Sequence, residues 1–397
     1  MKNRMEVGKN IGIEISIAQA EVVAQCDVDV ISAYPITPQT HIVEHLAEIV
    51  NDGDLDAAFI PVESEHSAMS ACCGSSAVGA RTFTATSSQG LALMHEILYI
   101  ASGLRLPIVM SCVNRSLSAP ISIWGDQGDI MAERDTGWVQ IFTETGQEVI
   151  DQTICSFKIA EDPRVMLPTI VNMDGFQMSH VIEPMKFYDT KKIQDFLGIY
   201  QPPLRLDPAD PIMMGPVGIP EIYTEAKMAH DVALVNSQAV IEEVWEKFAA
   251  EFGNKYNAIE HYKTDDADYV IVTVGGYGQN ASVAIDKLRE KGIKAGQIKL
   301  RLWRPFPHSL IQEALESRKG VFVFDRCLSV AGPGGPIASE IKTSLYNLKK
   351  RPAVVSYVGG LSGRDFTVKQ FVDIFEKGIG YVQKDEAPIY EMVGVRE

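Results

Sequence analysis

The stretch Ser32-Ala33-Tyr34-Pro35-Ile36-Thr37-Pro38-Gln39-Thr40 decides how the chain is read. Ahead of it, residues 28–33 form an apolar run of the length of a buried strand. Behind it, Ile42, Val43, Leu46, Ile49 and Val50 recur at helical spacing. The stretch is therefore a strand-to-helix connection. Pro35 holds Tyr34, and Pro38 holds Thr37, in extended geometry, which stiffens it. Thr37 is expected at the N-cap of the helix with Pro38 at its first position, where a missing N–H costs nothing. The loop then presents one hydroxyl at the tip of a buried strand.

Working outward, the same pattern repeats. A strand at 57–62 ends in Glu63-Ser64-Glu65-His66 and is followed by a helix of small residues, 67–79. A strand at 82–86 ends in Ser87-Ser88-Gln89-Gly90 ahead of a helix at 91–103. Strands at 106–113 and 167–172 end in Asn114-Arg115-Ser116 and Met173-Asp174-Gly175. The apolar residues of 11–25 read as an opening helix. This alternation predicts a doubly wound parallel sheet, in which ligands bind beyond the carboxyl ends of the strands. Thr37, Glu63, Glu65, Ser87, Ser88, Asn114 and Arg115 all stand at such ends, a set suited to a polar, anionic small molecule. Glu63 and Glu65 are rivals, two residues apart. The long segment 115–150, with Ile123-Trp124-Gly125-Asp126-Gln127-Gly128-Asp129, reads as a functional loop.

Residues 183–222 are Pro-rich and read as a segment wrapped over a surface, before a helix at 222–252. A second α/β unit follows, with strands at 269–274, 294–302, 320–324 and 353–358. We divide the chain into 1–255, carrying the wrapping segment, and 256–397. Gly276-Tyr277-Gly278-Gln279-Asn280-Ala281 imitates a dinucleotide fingerprint. The next strand, however, ends at Arg301 and Arg304 where a ribose-binding acid belongs, which argues against NAD.

With 36 Lys and Arg against 52 Asp and Glu, the net charge of −16 speaks against nucleic acid and anionic membrane surfaces. No apolar run is long enough to span a bilayer, and the N-terminus lacks a signal-peptide core, so a cytoplasmic location is expected. Cys26, Cys72, Cys73, Cys112, Cys155 and Cys327 form no CxxC pair, so no iron–sulfur cluster is expected on this chain. His41 and His45, four apart and interleaved with Glu44 and Glu48, read as a solvated helix face, and no metal site is expected.

Tyr34-Pro35-Ile36-Thr37-Pro38, the run from Val62 to Ala71, Gly79-Ala80-Arg81-Thr82, the run from Thr86 to Gly90 and Asn114-Arg115-Ser116 resemble the alpha subunit of 2-oxoacid:ferredoxin oxidoreductases, above all the multi-subunit pyruvate:ferredoxin oxidoreductases. The likeness extends through Asp174-Gly175-Phe176, Leu206-Asp207-Pro208, Arg304-Pro305-Phe306-Pro307 and the loop around Arg364. It implies a thiamine diphosphate pyrimidine-type α/β domain followed by a transketolase-C-like α/β domain. It implies oxidative decarboxylation of a 2-oxoacid, pyruvate first, to acyl-coenzyme A with reduction of ferredoxin.

By the same resemblance Glu65 meets the pyrimidine ring of thiamine diphosphate and stabilises the tautomer the cofactor needs. Arg115 binds the oxoacid carboxylate and Thr37 hydrogen-bonds the substrate, while Ser88 and Asn114 help hold the cofactor. Magnesium and [4Fe-4S] clusters belong to partner chains: a beta subunit with the diphosphate site, and gamma and ferredoxin-like delta subunits. Residues 123–129 depart from the family's usual pyruvate pattern and keep phenylglyoxylate or 2-oxobutyrate open as substrates. A transketolase-like or decarboxylase subunit without electron transfer is the other reading.

Overall fold

The computed structural model describes residues 4–396. Its first sheet has seven strands. Across the sheet they run Leu302–Arg304, Val139–Phe142, Thr169–Asp174, Val109–Asn114, Thr82–Thr86, Val30–Ala33 and Ala58–Pro61. All are parallel except Leu302–Arg304, which runs antiparallel to Val139–Phe142. The central strands are buried end to end, as a parallel sheet covered on both faces must be.

A second sheet of six strands runs Glu391–Met392, Ala353–Val358, Gly320–Asp325, Tyr269–Thr273, Ala295–Leu300 and Ile259–Tyr262. Only Ile259–Tyr262 is antiparallel. The two sheets share one hydrophobic cluster: Met110, Trp138 and Ile170 from the first side join Val270, Ile298 and Val321 from the second.

Several expected boundaries shift for visible reasons. Residues 11–25 open with a strand, Asn10–Glu14, because Ile182–Lys186 pairs with it antiparallel, and the helix starts at Ile15. The long segment 115–150 contains a short helix, Gly128–Ala132, the buried strand Val139–Phe142 and the start of the helix Gly146–Ala160. The wrapping segment likewise opens with a strand and a helix, Thr190–Leu197. It turns irregular only afterwards and crosses the end of the helix Glu65–Ala77 through Leu206 N–H to Ala77 O at 2.8 Å.

The strand read at 294–302 divides at Arg301. Ala295–Leu300 stays in the second sheet and Leu302–Arg304 crosses to the edge of the first. The helix Pro220–Phe252 buries its apolar side only from Ser237 onward.

Candidate functional site

The strand order of the first sheet reverses between Val30–Ala33 and Thr82–Thr86. These strands pair only at Val30–Thr82 and Ile31–Phe83, so a crevice opens at their carboxyl ends. Gln39 spans it. The Gln39 carboxamide is fully buried and donates to Tyr34 O at 2.9 Å and Ala85 O at 3.0 Å. Those bonds fix a turn at Thr37–Gln39, with Gln39 N–H on Ile36 O at 2.9 Å, and the helix begins only at Thr40. Thr37 is therefore not the N-cap, and its exposed side chain stays at the rim of the crevice.

Glu65 is the first residue of the helix Glu65–Ala77, behind Ser64, whose hydroxyl caps Ser67 N–H at 3.2 Å. Glu65 is buried. No described residue gives its carboxylate a hydrogen bond or an ion pair. It lies against Gly90: a Cβ there would sit 2.6 Å from both Glu65 Oε1 and Thr86 Oγ1. Thr86 Oγ1 is itself buried without a partner. Glu63, the rival, is exposed and bonded to the Ser67 hydroxyl, which holds its pKa below the usual glutamate value.

Ser88, Asn114 and Arg115 converge on a residue the sequence did not single out. Asp129 Oδ2 accepts Ser88 N–H at 3.0 Å and Arg115 N–H at 2.9 Å, and its Oδ1 accepts Asn114 Nδ2–H at 3.2 Å. Complete burial pushes the Asp129 carboxyl up to about 7 against these N–H donors. Ser88 sits at φ +48° with its hydroxyl on Ser116 O at 2.6 Å. Asn114 is fully buried, and its Oδ1 has no partner.

Arg115 is tied down by Nε on Ser122 O at 2.7 Å and by Nη1 on Thr37 O at 2.8 Å. Two of the expected site residues are thus in direct contact. Nη2 makes no hydrogen bond to a described residue. Burial lowers the Arg115 pKa from its ordinary value, opposed by Asp129.

The second sheet closes the site from behind. Asp174, at the tip of its strand, forms a fully buried ion pair with Arg326, and Arg326 Nη2 also donates to Gly125 O at 2.8 Å. Gly276 N–H donates to Asp174 Oδ2 at 2.7 Å. The fingerprint-like glycines are therefore spent on close approach. A Cβ on Gly276 would lie 3.1 Å from Asp174 Oδ2, and one on Gly278 would lie 2.8 Å from Glu144 Oε1. Asp126 Oδ2 accepts Ser362 N–H at 3.0 Å, pinning residues 115–129 over the crevice.

A strand-order switch point flanked by a buried acid, an arginine and short hydroxyls is the architecture of a nucleotide-like cofactor site in an α/β enzyme. Comparison with known proteins then names the family. Residues 21–246 match the family model "pyruvate flavodoxin/ferredoxin oxidoreductase, thiamine diP-bdg", and residues 267–371 match "pyruvate:ferredoxin oxidoreductase core domain II". The chain is 46% identical over 383 residues to pyruvate synthase subunit PorA of Methanocaldococcus jannaschii, covering 96% of each. It is 44% identical over 361 residues to ketoisovalerate oxidoreductase subunit VorA of Pyrococcus abyssi, covering 90% of this chain and 91% of that one.

The 2-oxoglutarate:ferredoxin oxidoreductase from Magnetococcus marinus shares the fold at TM-score 0.70 and 20% identity, over 94% of this chain and 65% of that longer one. The chain belongs to the pyruvate:ferredoxin oxidoreductase family, among its separate, alpha-type subunits.

The residues present fit the cofactor of that family. A buried carboxylate without an in-chain partner, beside a glycine that leaves it room and an unpartnered threonine hydroxyl, suits a polar heteroaromatic ring. Gln39 Oε1, in the connection after Val30–Ala33, and Asn114 Oδ1, at the end of Val109–Asn114, are buried acceptors without partners on the two sides of Thr82–Thr86.

Proposed function

We propose that this chain is the alpha subunit of a 2-oxoacid:ferredoxin oxidoreductase acting on pyruvate, and that its switch-point crevice holds the aminopyrimidine side of thiamine diphosphate. The observation that carries this reading is Glu65, a buried carboxylate to which no described residue gives a hydrogen bond or an ion pair, beside the equally unpartnered Thr86 hydroxyl.

When bound, thiamine diphosphate supplies the electron sink that lets the bond between C1 and C2 of a 2-oxoacid break. Glu65 hydrogen-bonds a ring nitrogen and fixes its protonation state, so proton movement starts from one tautomer. Arg115 takes the oxoacid carboxylate on Nη2, its other nitrogens being occupied by Ser122 O and Thr37 O. Thr37, anchored through its own carbonyl, offers its hydroxyl to the substrate oxygen. Ser88 and Asn114 shape the wall, and Asp129 sets the backbone of Ser88 and Arg115.

The remaining parts of the reaction fall to partner chains in this reading. A beta subunit grips the diphosphate with Mg2+ and carries a [4Fe-4S] cluster. Gamma and ferredoxin-like delta subunits complete the path to ferredoxin, coenzyme A receives the acyl group, and the complex works in the cytoplasm. Supporting it, four of the six cysteines here are buried and none lies in a cluster motif. No helix among the described residues is long and apolar enough to cross a membrane.

A relative named for ketoisovalerate favours a branched 2-oxoacid as the second reading of the substrate. The test is oxoacid-dependent viologen reduction by the native complex, isolated anaerobically through a tag on this chain and given coenzyme A. Pyruvate, 2-oxobutyrate, ketoisovalerate, 2-oxoglutarate and phenylglyoxylate are compared. Pyruvate is expected to dominate. Preference for another acid reassigns the substrate, and no reduction with any acid, in a preparation that retains iron and thiamine diphosphate, overturns the reaction.

A further inference from the structure

Outside this network, three residues remote in sequence meet beside the Thr37 turn. Glu14 ends the strand Asn10–Glu14, His41 lies in the first turn of the helix Thr40–Asn51, and His180 follows the strand Thr169–Asp174. One ligand atom from each lies within 4.8 Å of the other two. His41 Nδ1 is 2.7 Å from Glu14 Oε1. The two imidazole rings are 4.5 Å apart between centroids.

We propose that Glu14, His41 and His180 hold a divalent transition-metal cation of the zinc class, with water completing its coordination.

The donor set selects the class. Two imidazoles with one carboxylate suit zinc and its first-row neighbours, whereas magnesium and calcium take oxygen ligands. The spacing is close to what is needed, since donors around a tetrahedral zinc bound at about 2.0–2.1 Å stand roughly 3.3 Å apart. Small side-chain movements therefore suffice. Glu14 and His180 ride on backbone that is already fixed. Glu14 pairs in register with Ile182, Ser16 N–H donates to Ser179 O at 3.0 Å, and Ser16 Oγ donates to the same oxygen at 2.8 Å.

Ser179 Oγ lies 2.7 Å from His180 Nδ1 and can accept its proton, leaving the other ring nitrogen for the metal. Such an outer partner is what orients metal-bound histidines. Phe176 covers His180 at 4.7 Å, and Trp124 covers Phe176 at 4.8 Å, an apolar wall on one side. The side chains of His41 and Glu14 are 41% and 23% exposed, so a cation can enter from solvent. His45, one turn on, is instead engaged by Glu21 and Glu48.

The cation would act as a clip. A Cβ on Gly175 would lie 2.7 Å from Pro38 Cγ, so the segment leading to His180 already lies close against the loop that leads into the His41 helix. Joining the two through a metal holds the Thr37 turn against the Asn114–Gly175 edge.

Zn2+ is titrated into the full chain against a chromophoric chelator, alongside thermal melts with and without zinc. The expected result is one zinc per chain and a raised Tm. His180→Gln and Glu14→Gln should each weaken binding by about 10²-fold or more, beyond what loss of an outer partner costs, while His45→Gln binds as wild type. Both ligand variants should melt like the metal-free wild type, which separates lost binding from misfolding. Failure of wild type to compete for zinc, or unchanged uptake in His180→Gln and Glu14→Gln, overturns the site.

Discussion

Two carboxylates occupy matching places in the two halves of the chain and have opposite fates. Asp325 ends the strand Gly320–Asp325 and meets the helix Pro336–Leu345, where its oxygens accept Ile337 N–H at 2.8 Å and Ala338 N–H at 3.2 Å. Gly335 makes room for it, because a Cβ there would fall 1.9 Å from Asp325 Cγ. Glu65 also stands at the start of a helix after a strand, and a glycine also makes room for it. Yet nothing among the described residues bonds its oxygens. Burying an ionisable group without a partner is costly. The fold satisfies one such acid internally and leaves the other open, and in the proposed reading the open one meets the cofactor.

The sharpest way to break this comparison is to neutralise each acid in turn. Glu65→Gln should assemble normally and lose about 10²–10⁴-fold in oxoacid-dependent viologen reduction, the range for removing a positioned acid–base group. Asp325→Asn should do the reverse. Loss of a charged acceptor for two buried N–H groups should cost about 1–3 kcal/mol of stability, with turnover per folded complex nearly unchanged. Near-normal turnover in Glu65→Gln would remove Glu65 from the chemistry.

Gly90→Ala tests the room rather than the charge. The added methyl must displace the Glu65 carboxylate or the Thr86 hydroxyl, each 2.6 Å from its position. A shift of about 1 Å at a catalytic group can cost around 10²-fold in kcat, and that is the expected loss, with little change in Tm. A variant that keeps full kcat would mean that the pocket beside Glu65 is slack.

Arg115→Lys sharpens the comparison at the other end of the network. Lysine cannot hold Ser122 O, hold Thr37 O and still present a planar corner to a carboxylate. KM for the oxoacid should rise about 10- to 10²-fold, the value of a hydrogen bond to a charged group, with a smaller effect on kcat. An unchanged KM would move the carboxylate site elsewhere.

These tests also mark how far the sequence could be read. Thr37, Glu63, Glu65, Ser87, Ser88, Asn114 and Arg115 can be placed at one sheet edge from the sequence because each follows an apolar run, whereas the choice of Glu65 over Glu63 comes from the family resemblance. Asp129 and Gln39 cannot be placed this way. Each owes its place to backbone groups of other elements, Ser88 N–H and Arg115 N–H for one, Tyr34 O and Ala85 O for the other. No local pattern encodes that.

The N-cap expected at Thr37 failed for the same reason. Propensity favoured a cap, but the long-range bonds of Gln39 delayed the helix to Thr40. The glycines at 275–278 looked like a phosphate loop because tight backbone approach has one signature, whether the neighbour is a phosphate or the carboxylate of Asp174. The ribose-binding acid is missing, and the contacts give the glycines another use.

Asp129 provides the finest test, because it shares one property with Asp325 and differs in another. Burial raises both carboxyls from 3.8 to about 7. In that interval the folded chain keeps protons the unfolded chain has released. The stability each contributes is therefore complete below about 3.8 and falls as pH rises through about 7. Asparagine at either position should flatten the decline of Tm across this range, partly, because Glu144 is raised to about 7 as well. Kinetics then separates them. Asp129 sets the backbone of Ser88 and Arg115, so Asp129→Asn should raise KM by about 2- to 10-fold, the worth of one ordinary hydrogen bond. Asp325→Asn should leave KM alone. Equal KM values for the two variants would mean that Asp129, like Asp325, serves only the fold.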